Sequence, residues 1–163
     1  MPLTQRLYKS ANWQMIRILQ METNNQKKVE VLYPELSYKI VGLAFEVHNE
    51  LGPFAREKQY ADLLEEKFKI ENVKYRREFS MGDSGNIADF IVGENKEILL
   101  ELKTVRVVGR AQFSQIQNYL QRSHIKLGIL INFSDKYLRP KRVLRMGDKS
   151  QSANDTNTAN GNE

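Results

Sequence analysis

The hydrophobic period changes partway along this chain, and that change restricts the folds open to it. Leu36, Ile40, Leu43, Val47 and Leu51 recur at four- and three-residue steps, which puts one apolar stripe on a helix. Gly52-Pro53 breaks it, and Tyr60, Ala61, Leu64 and Phe68 mark a second helix. From Val73 the period becomes two: Val73, Tyr75, Phe79 and Met81 alternate with polar residues, as on a half-buried strand. The sequence GDSGN over 82–86 predicts a hairpin into a second strand over 87–92. A third strand, rich in Ile, Leu and Val, is expected over 97–105, and a helix over 110–122. The run Leu127-Gly128-Ile129-Leu130-Ile131 predicts a strand buried on both faces, hence parallel to a neighbour. An edge strand is expected over 141–146. The whole reads as an α/β (α+β) domain, a mixed central sheet flanked by helices.

Length and composition bound the rest. The chain has 163 residues, the size of one domain. Three segments are expected: a helical extension or arm over 1–29, a folded domain over 30–146, and a disordered polar tail over 147–163. The tail lacks any large apolar side chain to offset its ordering entropy. The absence of Cys excludes disulfides, thiolate zinc sites and iron–sulfur ligation. No apolar run reaches membrane-spanning length, and no signal core follows the N-terminus, so a cytoplasmic location and no membrane contact are expected.

Charge is unevenly spread. The net value is +5, yet between Lys103 and Met146 ten basic residues are opposed only by Asp135. Such a concentration favours phosphate backbones, although a solvated face would look the same.

The chemistry lies in NIADFIV, a short turn, and EILLELKTV. Strand alternation puts Glu101 and Lys103 on one face, and a hairpin turning at 93–96 brings Asp89 near Glu101 across the ladder. Adjacent carboxylates repel unless a cation neutralises them, and such oxygen ligands suit Mg²⁺ or Mn²⁺. Beside them, Lys103 could orient a water and offset charge developing on a phosphoryl group. On a polar strand face, Glu-x-Lys is also an ordinary ion pair. The surrounding Ile98, Leu99, Leu100 and Leu102 add weight to a site, because charges inside an apolar run need a partner, but the pattern alone leaves both readings open.

Several stretches together resemble the GxxExxY proteins, of the PD-(D/E)XK nuclease superfamily and its RecB-like branch. They are YPELSYKIVGLAFEVHNELGP, REKQYADLLEE, GNIADFIV, EILLELKTV, QIQNYL and LGILINF with LRPKRVL. The similarity runs from Tyr33 to about Arg145. It departs at Phe54, where the motif that names those proteins has glycine; Glu57 and Tyr60 are kept. The resemblance implies a restriction-endonuclease-like core and a metal-dependent nuclease, with Asp89 and Glu101 as metal-binding acids and Lys103 as the catalytic lysine. It further implies Glu57 and His48 as additional metal ligands, and Gln115 and Tyr119 as a Gln-x-x-x-Tyr pair acting beside them.

Plainer roles exist for each. Glu57 suits the first turn of a helix by its charge alone. His48 beside an apolar stripe fits a structural hydrogen bond, and Tyr119 fits the core. Trp13, Phe113 and Phe133 fit simple packing. Arg106, Arg110, Arg139, Lys141 and Arg142 are the candidate nucleic-acid contacts. Nucleic acid is the expected partner, DNA ahead of RNA, and a homodimer is the assembly considered, since small domains acting on duplex often pair. The alternatives are a non-catalytic nucleic-acid-binding module or a protein-interaction module on the same fold.

Overall fold

The computed structural model describes residues 31–81 and 85–147. The extension read over 1–29, Trp13, the tail past Gly147 and part of the 82–86 turn lie outside the described residues. The elements are α1 (Pro34–Leu51), α2 (Glu57–Ile70), β1 (Tyr75–Ser80), β2 (Ile87–Val92), β3 (Ile98–Lys103), α3 (Arg110–Ser123), β4 (Leu127–Asn132) and β5 (Lys141–Leu144).

Local chemistry sets the helix ends. Pro34 occupies the first turn of α1, where its missing N–H costs nothing. The helix closes at Gly52, whose φ of 69° is easy only for glycine and whose N–H reaches His48 O at 2.8 Å. In α2 and α3, a glutamine in the first turn reaches back to the entering backbone. Gln59 Oε1 accepts from Arg56 N at 3.0 Å, and Gln112 Oε1 from Gly109 N at 2.9 Å.

The five strands form one sheet in chain order, β1-β2-β3-β4-β5. The first three make an antiparallel meander. After the α3 crossover, β4 lies parallel to β3, from Ile98↔Leu127 to Lys103↔Asn132, and β5 returns antiparallel. The sheet is thus mixed, with helices on both faces, as the switch of period predicted. Ile98, Leu100 and Leu102 of β3 join the core under α1 and α2, whereas Leu99 joins the core under α3. Every residue of β4 is buried, which explains its unbroken apolar run.

The strands are shorter than the sequence suggested. β1 begins at Tyr75, because Val73 N–H is spent on Phe68 O at the end of α2. β3 stops at Lys103, after which Val105 pairs with the Asn132 side chain instead of a strand. β5 stops at Leu144; its continuation is held by side chains, with Gln117 Nε2 donating to Leu144 O and Gln121 Nε2 to Met146 O. Among the described residues, no helix is long and apolar enough to cross a membrane.

Candidate active site

The site forms where β2 and β3 separate. Their paired residues are Val92↔Ile98, Ile91↔Leu99 and Phe90↔Leu100. One step further, Asp89 and Glu101 come opposite each other, and the Asp89 carboxylate itself accepts the Leu102 N–H at 2.6 Å. On the other side of β2, Glu78 has a φ of 50°, a left-handed conformation rare for such a residue. Ala88 packs in the α3-side core and Phe90 in the opposite one, although residues two apart on a regular strand share a face. The strand therefore turns at Asp89, freeing its side chain from the alternation.

Glu101 is the most buried charged side chain among the described residues, 2% exposed. Lys103 Nζ donates to its Oε1 at 2.6 Å, while the buried Oε2 has no hydrogen-bond partner. Burial, reinforced by the Asp89 charge, pushes the Glu101 pKa up to about 7 despite Lys103. Asp89 is also raised, chiefly by burial, with the Leu102 N–H and Lys103 pulling the other way. Glu57, the first residue of α2, is raised by burial and then by Asp89, against Lys103 and hydrogen bonds from Thr104. For Lys103, burial opposes the ammonium, but the bond to Glu101 and the charges of Glu101, Glu57 and Asp89 win, and its pKa rises. Three carboxylates thus share one lysine at the opening between two strands.

A cleft of about 230 Å³ opens beside them, lined by Glu57, Lys58, Ala61, Arg77, Glu78 and Asp89. Three of these, Lys58, Arg77 and Glu78, were not singled out in the sequence. Arg77 is held in place by Asp62 at 2.6 Å and Glu65 at 2.8 Å, and its charge reaches Asp89. A period-two pattern locates the strand of Arg77 but not its register against β2.

Among the described residues, no three His, Asp or Glu side chains form a ready-made metal cage. The donor set nevertheless fits a hard divalent cation. Glu101 Oε2 is a buried acceptor without a donor, and a cation would offset the burial that chiefly raises the Glu57, Asp89 and Glu101 pKa values, along with the repulsion from neighbouring acids that adds to it.

The remaining sequence candidates fall in different places. His48 is buried, with Nε2 at 2.9 Å from Asp135 O, so that ring nitrogen serves the loop after β4. Gln115 Nε2 donates to the hydroxyl of buried Tyr119 at 2.8 Å, tying the pair together on α3 over the sheet. Arg106, Arg110 and Arg139 are exposed. Lys141 pairs with Leu130, which pairs with Glu101; it therefore lies in the same row, two strands and about 10 Å away. Arg142 points to the opposite face and donates to Leu32 O at 2.8 Å, an anchor for the chain entering α1. Phe133 is fully buried, as a packing residue should be, whereas Phe113 is 37% exposed, contrary to that expectation.

One residue that the motif keeps gains a clear function. Tyr60, fully buried, donates its hydroxyl to Gly52 O at 2.5 Å and accepts from Ala55 N at 3.0 Å. Its ring stacks on Phe133 with centroids 4.3 Å apart. It thereby fixes the turn leading to Glu57 against the loop that follows β4. Its apolar periodicity marked it as core; the hydroxyl's partners depend on a turn geometry that no spacing reveals.

The fold thus gathers carboxylates and a lysine at the parting of two strands of a mixed sheet. The profile of the PD-(D/E)XK nuclease superfamily matches residues 34–145, and the chain belongs to that superfamily. No curated protein and no solved structure matches it.

Proposed function

We propose that this protein is a metal-dependent nuclease that hydrolyses phosphodiester bonds of nucleic acid, DNA ahead of RNA, by metal-activated water. The observation that carries this reading is the buried Glu101 carboxylate, with one oxygen on Lys103 and the other without a partner beside Asp89. A structural ion pair has no use for the second and third acid.

Asp89 and Glu101 would hold Mg²⁺ or Mn²⁺, with Glu57 completing the set directly or through water. Bound there, the ion supplies a water of lowered pKa and a Lewis acid for a phosphate oxygen. The Leu102 N–H fixes Asp89, and the strand opening leaves room for substrate. Lys103, kept protonated by its carboxylate neighbours, holds its ammonium where it can orient the attacking water and offset charge on the phosphoryl oxygens. Gln115 and Tyr119 would act as one hydrogen-bonded unit on the α3 side. Within the superfamily we assign the chain to the GxxExxY proteins of the RecB-like branch, on Glu57, Tyr60 and the Gln115–Tyr119 spacing.

The test is cleavage of plasmid, linear duplex, single-stranded DNA and RNA with Mg²⁺ or Mn²⁺, against EDTA and against Glu101→Gln and Lys103→Ala. Cutting that needs metal and disappears in both variants is expected. Inert wild-type protein, combined with Mn²⁺ binding indifferent to Asp89 and Glu101, would reduce the chain to a binding module.

A further inference from the structure

Of the eight large apolar side chains exposed among the described residues, three lie in the loops at one end of the sheet. β3 and β4 end, at Lys103 and Asn132, on the side where the acids gather. The loops leaving that end and the turn entering α2 carry Phe54, Val107 and Tyr137, exposed by 96%, 73% and 69%. Single exposed apolar residues need no explanation, but three around one charged opening do. The loops are also built as one rim. Tyr60 binds the Gly52 and Ala55 backbone and stacks on Phe133, and the Asn132 side chain clamps Val105 through both N–H and carbonyl.

The same rim carries cations of a particular kind. Arg56, Arg106, Arg110, Lys136 and Arg139 are exposed and form no ion pair among the described residues. On the flank of α2 the cations are neutralised instead: Lys58 by Asp62, Lys67 by Glu46 and Glu50, Arg77 by Asp62 and Glu65. Lys74, Arg76, Lys96 and Lys126 are likewise exposed without an ion pair elsewhere on the surface, but at this rim such cations coincide with exposed aromatic rings. Lys136 Nζ lies 5.4 Å from the Tyr137 ring centroid, so one loop carries both components.

We propose that this rim is a stacking platform for unpaired bases, and that the substrate of the site is single-stranded nucleic acid or a single-stranded end or flap. The inference rests on the nuclease reading and specifies its substrate class. Unpaired cations alone would serve any phosphate backbone. Free aromatic faces recognise bases only where those bases are unstacked, as in a single strand, since a duplex buries them. Phe54 and Tyr137 each take a base, Arg106, Arg110 and Arg139 follow the backbone, and the strand is led to the opening at Asp89 and Glu101.

The test compares the full chain with Phe54→Ala/Tyr137→Ala in EDTA. Fluorescence anisotropy is read with labelled oligothymidylate of roughly twenty nucleotides and with a blunt duplex of equal length, across salt concentrations. Both residues are solvent-facing, so the variant should melt as the wild type does. The expected result is a loss of roughly ten- to a hundredfold for the single strand, under about twofold for the duplex, with an unchanged salt slope. Equal losses on both ligands, or no loss on the single strand, would overturn the platform. Cleavage with Mn²⁺ in parallel separates the two readings. Wild-type cutting absent in Glu101→Gln, with single-strand binding untouched by the double variant, keeps the nuclease and removes the platform. Selective loss of single-strand binding in the double variant, with wild type and Glu101→Gln equally inert, keeps the platform and removes the nuclease.

Discussion

Ionising Glu101 is unfavourable in the folded chain without a cation. Its carboxyl titrates near pH 7 when folded against an ordinary value of 4.5, so the folded state holds the proton longer than the unfolded one. Stability from this group is therefore lost as pH rises from about 4.5 to 7, and stays lost above. Glu101→Gln imitates the protonated form, and should melt higher than wild type at pH 8 by up to about 3 kcal/mol, with the gap closing near pH 5. A variant that melts lower at pH 8 would show that the Lys103 bond outweighs the burial. Tyr60→Phe removes a donor to Gly52 O and leaves Ala55 N–H without its acceptor. It should cost roughly 1–3 kcal/mol by urea denaturation, and lower activity beyond that cost by loosening the turn before Glu57. Asp89, Glu101 and Lys103 were legible because charges inside Ile and Leu runs need a reason. Lys58 and Arg77 were not, because lysines and arginines flanked by carboxylates look like any solvated surface.

At the level of the element, the Gly128 position shows how closely α3 is seated. A methyl group there would lie 2.7 Å from Ile116 Cδ1 and 3.0 Å from its Cγ1. Gly128→Ala should thus destabilise the fold by about 1–3 kcal/mol, and Ile116→Val in the same chain should restore part of it. An additive double variant, read from urea midpoints, would contradict that contact. Element types followed from the sequence because the period shifts are long: five stripe positions in α1, and a β4 with no polar residue before Asn132. Element ends did not. The end of β3 depends on the Asn132 side chain taking both backbone groups of Val105, and that of β5 on Gln117 and Gln121. The turn of β2 at Asp89, with Glu78 left-handed beside it, likewise has no signature in a residue pattern.

Over the whole molecule, two titrations of opposite sign bound the stability of the metal-free protein. Glu65, held down by Arg77 and Tyr75 against its own burial, and Asp62, held down chiefly by Arg77 and Lys58, stabilise the fold above the ordinary carboxylate range and cease to as pH falls through their lowered values. Glu101 acts at the other end. The melting temperature in EDTA should therefore peak at mildly acidic pH, about 5, and Mn²⁺ should raise it at pH 8 in wild type far more than in Glu101→Gln. A peak at pH 8 in EDTA would remove Glu101 as the dominant titration. The hairpin of β2 and β3 has a further consequence. Asp89, Glu101 and Lys103 all belong to it, so the charged centre is a product of short-range pairing. The crossover through α3 to β4 closes a much longer loop, which comes late in folding by contact order. The paired carboxylates would then meet before the core that buries them is closed, and a cation present early could act as a template for the nascent chain.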